Sequence, residues 1–230
     1  MERGLITGAS RGIGRAIAMA LARHDLELLI QGRDAGALDE TANLVRDRGG
    51  NALAFTADLG RAEDVDRLAA ATGTGPFHLL VNNAGGAAVE RLEELSLAAW
   101  QEALAVGVTA PFLLTQRLLP RMPRGASIVN VLSVAARRGF PGWSAYCACK
   151  AALDGFSKSV REEARARGVR VIGIFPAATA TALWEGVPGD WPRERMLAVE
   201  EVAAAVRYAL SRPPDTLVEE IHLGHIGGTL

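Results

Sequence analysis

Seven short apolar runs, with a helix-spaced segment after each of the first six, constrain this chain more than any other feature. The runs lie at residues 3–7, 26–31, 51–56, 77–82, 126–132, 169–175 and 216–223. The helical patterns lie at 12–24, 35–48, 61–71, 97–121, 143–167 and 200–211. Pro111 predicts a kink or a join between two helices within 97–121, because a proline cannot donate to the turn before it. Strands apolar on both faces belong to a parallel sheet covered on both sides. Alternation with helices through right-handed crossovers makes that sheet doubly wound α/β. The 230 residues suit a single domain, 1–230, with no internal repeat or linker. Only 176–197 lacks periodicity; it holds Trp184, Pro188, Gly189, Trp191 and Pro192. It follows the sixth run, on the carboxyl edge where open α/β sheets take ligands, and reads as a lid or substrate loop.

Charge and cysteine usage narrow the partners. Lys and Arg number 25 against 26 Asp and Glu, a net charge of −1, so no basic excess serves nucleic acid or an anionic membrane. No run of 18 uncharged apolar residues predicts a bilayer span, and the opening MERGLIT has no signal core. Cys147 and Cys149 are too close to form a disulfide framework and read as packing residues in a reducing, cytoplasmic setting. His222 and His225, three apart on or just past a strand, face opposite sides, so no metal site is expected. Ser133 sits in no G-x-S-x-G elbow, which argues against a hydrolase triad.

Residues 7–14, TGASRGIG, join the first run to the first helix. Glycines at 8, 12 and 14 permit a tight turn, close approach of backbone N–H groups to a pyrophosphate, and close helix–strand packing. The helix N-terminus then faces the diphosphate. The spacing is G-x-x-x-G-x-G, and a glycine turn alone is also compatible with a purely structural role.

Three further motifs stand in register with that loop. Asn82-Asn83-Ala84-Gly85 follows the fourth run, Ser133 lies thirteen residues before Tyr146, and Lys150 lies four after it. Together, over nearly the whole chain, they resemble the short-chain dehydrogenase/reductase family, including its 3-oxoacyl-carrier-protein reductase-like members. The resemblance implies a Rossmann-type seven-stranded sheet, a homodimer or homotetramer, and hydride transfer between NADP(H) and a small-molecule ketone or secondary alcohol. It assigns cofactor contacts to Gly8, Ser10, Arg11, Gly12, Ile13, Gly14, Arg33, Asp58, Leu59, Asn83, Ala84, Gly85, Tyr146, Lys150, Pro176, Thr179 and Thr181. NAD-preferring relatives carry a carboxylate where this chain has Gly32. Here Arg33 follows, and Arg11 faces the same corner. Two guanidinium groups can grip a 2′-phosphate bidentately, which favours NADP(H) over NAD(H). Asp58 resembles the family carboxylate that holds the adenine amino group; it also reads as an N-cap for the next helix.

The same resemblance makes Ser133, Tyr146 and Lys150 the catalytic group. Residues i and i+4 share a helix face, so Lys150 stands beside Tyr146. Lowering a tyrosine pKa by about 3 units takes about 4 kcal/mol, which a lysine cation at about 4 Å supplies at an effective dielectric near 20. Tyr146 is then the general acid/base, Lys150 tunes it and anchors the nicotinamide ribose, and Ser133 polarises the substrate oxygen. Two positions depart from the family pattern. Gly107 replaces an asparagine that helps hold a water linking the lysine to solvent, a task left to a backbone carbonyl. Ala177 replaces a glycine beside the nicotinamide. These departures motivate the alternative of a nucleotide-binding sensor with little turnover. Trp143, Trp184 and Trp191 lie at the inferred mouth, and Arg137 and Arg138 read as solvated. A 3-oxoacyl thioester, a sugar-like ketone and a small hydrophobic ketone all remain open as substrates.

Overall fold

The computed structural model describes residues 1–86, 89–187 and 189–228; Pro188 of the expected substrate loop lies outside the described residues. Strands β1 (Glu2–Ile6), β2 (Leu26–Gly32), β3 (Asn51–Thr56), β4 (Leu79–Asn82), β5 (Ser127–Val131), β6 (Arg170–Pro176) and β7 (Glu220–Leu223) pair in parallel in the order β3-β2-β1-β4-β5-β6-β7. The helices are α1 (Gly12–Ala20), α2 (Ala35–Arg46), α3 (Ala62–Ala71), α4 (Leu97–Leu104), α5 (Ala110–Leu118), α6 (Ser144–Arg165) and α7 (Val199–Leu210).

Successive strand residues point to opposite faces, and both faces are apolar here. Ile6, Ile30, Val81, Val129 and Ile172 join one core with Ile17 of α1, Leu38 of α2 and Val206 of α7. Their chain neighbours Leu5, Leu29, Leu80, Ile128 and Val171 join the other with Leu68 of α3, Leu114 of α5 and Val160 of α6. Winding reverses between β1 and β4, so the crevice above their carboxyl ends is the topological switch point where such sheets bind ligands.

Some expected boundaries move. The first helix ends at Ala20, short of residue 24, its next N–H closing on Ile17 O. The last strand begins at Glu220, not 216: Thr216 N closes a turn on Pro213 O, and the ladder reaches the chain only at Glu219. The 97–121 helix does divide ahead of Pro111. A π-turn over Ala105–Thr109, with Ala110 N bonded to Ala105 O, separates α4 from α5. An α-helix would pair the Gly107 carbonyl with the N–H of residue 111, which proline lacks.

Candidate active site

Sterics dictate the glycine loop. Gly8 and Gly12 hold φ of 64° and 57°. A Cβ on Gly14 would stand 2.2 Å from Gly8 O, and one on Gly8 would stand 2.8 Å from Ala84 Cα. The loop is therefore pressed onto the end of β4. Thr7 Oγ1 accepts from the N–H groups of Asn83 and Ala84, both at 3.0 Å. Asn83 Nδ2 donates back to Thr7 O and Gly8 O at 2.9 and 3.0 Å. Gln31 Oε1 accepts from Gly8 N at 3.1 Å while its Nε2 donates to Ala57 O at 2.8 Å. Thr7 and Gln31 belong to the site although sequence reasoning passed them over. Their signal was a polar side chain ending an otherwise apolar run. The first turn of α1 holds no acidic residue and no side-chain cap, which leaves its N–H groups for an anion.

A cleft of about 1040 Å³ opens above this loop, and every residue assigned above to cofactor or catalysis lines it except Gly14, which is packed beneath Gly8. Arg11 and Arg33 are exposed at one end. Beside them Gly32 has no room to spare: a Cβ there would lie 3.1 Å from Ser10 Cβ and 3.3 Å from Leu38 Cδ2. Among the described residues Asp34 forms no ion pair with either arginine; its carboxylate caps α2 through Ala37 N. Asp58 is not the N-cap of α3, which starts after Arg61; its Oδ1 instead accepts from Gly60 N at 3.0 Å and stands half-buried in the cleft wall. Thr179 is buried with its hydroxyl on Ala177 O, and Thr181 packs over Gly12.

Ser133 lies two residues past the end of β5, its Oγ accepting from Ala135 N at 3.1 Å, and it lines the same cleft as Tyr146. Burial raises the Tyr146 pKa above the ordinary phenol value, and the neighbouring Ser133 hydroxyl opposes that rise. Lys150 Nζ donates to Val131 O at 2.7 Å and lies 5.6 Å from the Tyr146 ring centre. Burial brings the Lys150 pKa down to about 8. The expectation that Lys150 pulls the Tyr146 pKa down is thus corrected for this state: low dielectric favours the neutral form of both groups. The π-turn lies against α6 here, and a Cβ on Gly107 would meet Cys149 Cβ at 3.1 Å. Burial also raises the Cys149 thiol, in keeping with a packing role.

The substrate loop is less irregular than its sequence. Thr179 bridges Leu197, with Ala180 N on Leu197 O and Leu197 N on Ala178 O, so its base is clamped. Arg137 and Arg138 are engaged rather than freely solvated. Arg137 pairs with Asp154 and Glu220, and Arg138 lies 5.4 Å over the Phe140 ring. His222 stacks on Phe175 at 4.4 Å, and His225 Nδ1 accepts from Gly227 N.

Comparison with known proteins agrees with this geometry. The short chain dehydrogenase family matches residues 3–190. A 3-oxoacyl-[acyl-carrier-protein] reductase of Synechocystis is 34% identical over 219 residues, covering 91% of this chain and 89% of the relative. A sepiapterin reductase of Chlorobaculum tepidum is 35% identical over 237 residues, covering 98% and 97%. Among solved structures, an alcohol dehydrogenase of Thermococcus sibiricus complexed with 5-hydroxy-NADP superposes with a TM-score of 0.89 at 31% identity, covering 98% of this chain and 97% of that one.

Proposed function

The chain belongs to the short-chain dehydrogenase family, and from that premise we propose that it is an NADP(H)-dependent reductase interconverting a ketone and a secondary alcohol through Ser133, Tyr146 and Lys150. One observation carries the reading: Ser133, Tyr146 and Lys150 open onto the same cleft that the glycine loop heads. The Thermococcus relative was solved with an NADP derivative, which supports the same cofactor here. The loop fits a dinucleotide, since glycines at 8 and 14 let it press onto the end of β4 and the first turn of α1 carries no side-chain cap and no acidic residue. Arg11 and Arg33 would hold the 2′-phosphate, and Ser10 against Gly32 occupies the place of a ribose-binding carboxylate. When bound, NADPH supplies the hydride to the carbonyl carbon.

The remaining steps fall to the chain's own groups. Ser133 Oγ hydrogen-bonds the carbonyl oxygen, and Tyr146 gives that oxygen its hydroxyl proton, leaving the alcohol. A raised pKa keeps Tyr146 protonated at neutral pH, which suits it to act as the acid in carbonyl reduction. With a pKa of about 8, Lys150 is cationic at pH 7 and stabilises the phenolate that the proton leaves behind. Reprotonation from solvent runs past Gly107, whose α-helical donor position is Pro111 and carries no N–H.

We further propose a homo-oligomer in the cytoplasm. The stretch Leu97–Arg121 has a mean hydropathy of 1.4 over its most apolar window, of which only 17% is buried, and it exposes Leu97 and Phe112. A second copy would cover that face. The free thiols Cys147 and Cys149 fit a reducing compartment.

The test is NADPH oxidation by protein first shown to be saturated with NADPH, across aryl and alkyl ketones, diketones, ketoses and 3-oxoacyl thioesters. Turnover is expected in at least one class. Tight NADPH binding with no turnover across the panel would make the chain a nucleotide-binding sensor instead.

A further inference from the structure

The reacting hydroxyl stands at the end of an unbroken row of rings. Trp143 meets Tyr146 edge-on with centroids 5.4 Å apart, Trp184 tilts against Trp143 at 5.7 Å, and Trp191 against Trp184 at 4.9 Å. All four line the cleft. The row is built rather than collapsed. Trp184 Nε1 donates to Thr179 O at 2.8 Å, so the only polar atom of its side chain is used and its ring offers the cleft carbon alone. That bond starts beside the Thr179–Leu197 bridge clamping the loop, which fixes where Trp184 sits. Trp143 is held from the other side, at the start of α6, with 9% of its surface exposed.

The rest of this wall is apolar too, through Phe140, Pro141 and Leu183. Among the described lining residues the cations are Arg11, Arg33 and Lys150, which the cofactor and tyrosine occupy; the loop contributes the carboxylate of Glu185. A ketose would bring hydroxyls to a wall without partners for them. An acidic carbonyl compound would meet Glu185 and no cation of its own. A flat ring meets faces and edges that attract it beyond simple burial.

Resting on the reductase reading above, we propose that this row is an aromatic slot and that the substrate is an uncharged aryl ketone, its ring against Trp143 and Trp184 and its carbonyl at Ser133 and Tyr146. The reduction is the one already written: hydride from NADPH, proton from Tyr146, products the aryl carbinol and NADP⁺.

Acetophenone and cyclohexyl methyl ketone differ only in the aromaticity of the ring, so they isolate the slot. In wild type, acetophenone should exceed erythrulose and acetoacetyl-CoA in kcat/KM. Trp184→Leu should lower kcat/KM for acetophenone about tenfold more than for the saturated ketone, mostly through KM. Trp191→Leu, farther along the row, should do the same more weakly and stands in if Trp184→Leu does not fold by circular dichroism. Equal losses on both ketones, or a wild-type preference for the ketose or thioester, would overturn the slot while leaving the reductase standing. Binding is read separately by calorimetry, titrating acetophenone into NADPH-saturated Tyr146→Phe with and without Trp184→Leu. If no carbonyl turns over in wild type, the reductase falls. Saturable acetophenone binding that depends on Trp184 would then still support the slot, and its absence would overturn it.

Discussion

Residue 32 is a glycine pinned between Ser10 and Leu38, and the proposed function gives its neighbour Arg33 the cofactor preference. Arg33→Asp should weaken NADPH binding about tenfold to a hundredfold, the range for a charge-assisted bond lost and a repulsion gained, and NADH far less. Fluorescence titration of both cofactors checks this; equal losses would contradict it. Lys150 gives a second expectation. Its pKa of about 8 lies below the ordinary 10.5, so between those values the unfolded chain holds a proton that the folded chain does not. Stability contributed by this group therefore rises with pH across that window, and below it the buried charge costs a constant amount, about 3 kcal/mol. Melting of wild type against Lys150→Met should show the difference moving in favour of wild type from about pH 8 to about pH 10; a flat difference would contradict it. The family resemblance pointed to Ser133, Tyr146 and Lys150, and the absence of a carboxylate at Gly32 pointed to Arg33. Where the Lys150 ammonium points was not legible, because Val131 O is 19 residues away and packing, not periodicity, brings it there.

Within the elements, the join near Pro111 was readable and its geometry was not. A proline announces a missing N–H, but the π-turn also depends on how closely α6 approaches Gly107, where a Cβ would stand 3.1 Å from Cys149 Cβ. Restoring the family asparagine with Gly107→Asn should therefore destabilise the fold by about 1–3 kcal/mol as an overpacked contact, with no gain in kcat because the backbone carbonyl already serves. Denaturant unfolding and steady-state rates measure the two effects; a faster enzyme at unchanged stability would contradict this account. The 176–197 interval behaves similarly. Its composition marked a loop, while the Thr179–Leu197 clamp and the Trp184–Thr179 bond pair residues that no local pattern connects. The last strand was overread at 216–219, where Leu217 and Val218 are apolar because they pack on the core, not because they pair.

For the molecule as a whole, alternating apolar runs were enough to give a doubly wound sheet and its binding edge, since both faces of each central strand must be covered. The right-handed crossover narrows the possible strand pairings, and the structure supplies the order β3-β2-β1-β4-β5-β6-β7. The apolar α4–α5 surface is the part a single chain leaves unexplained. Light scattering should give a mass that is a multiple of the chain mass, and Phe112→Asp should reduce it to one chain without loss of helix signal. A monomeric wild type would contradict the oligomer. In the proposed mechanism Tyr146 delivers the proton, while the glycine loop and Arg33 carry most of the cofactor's binding. With any ketone that turns over, Tyr146→Phe at saturating NADPH should lower kcat about 10²–10⁴-fold while NADPH affinity stays within about threefold of wild type. A variant that keeps wild-type kcat, or that loses activity only because it no longer binds NADPH, would contradict the claim.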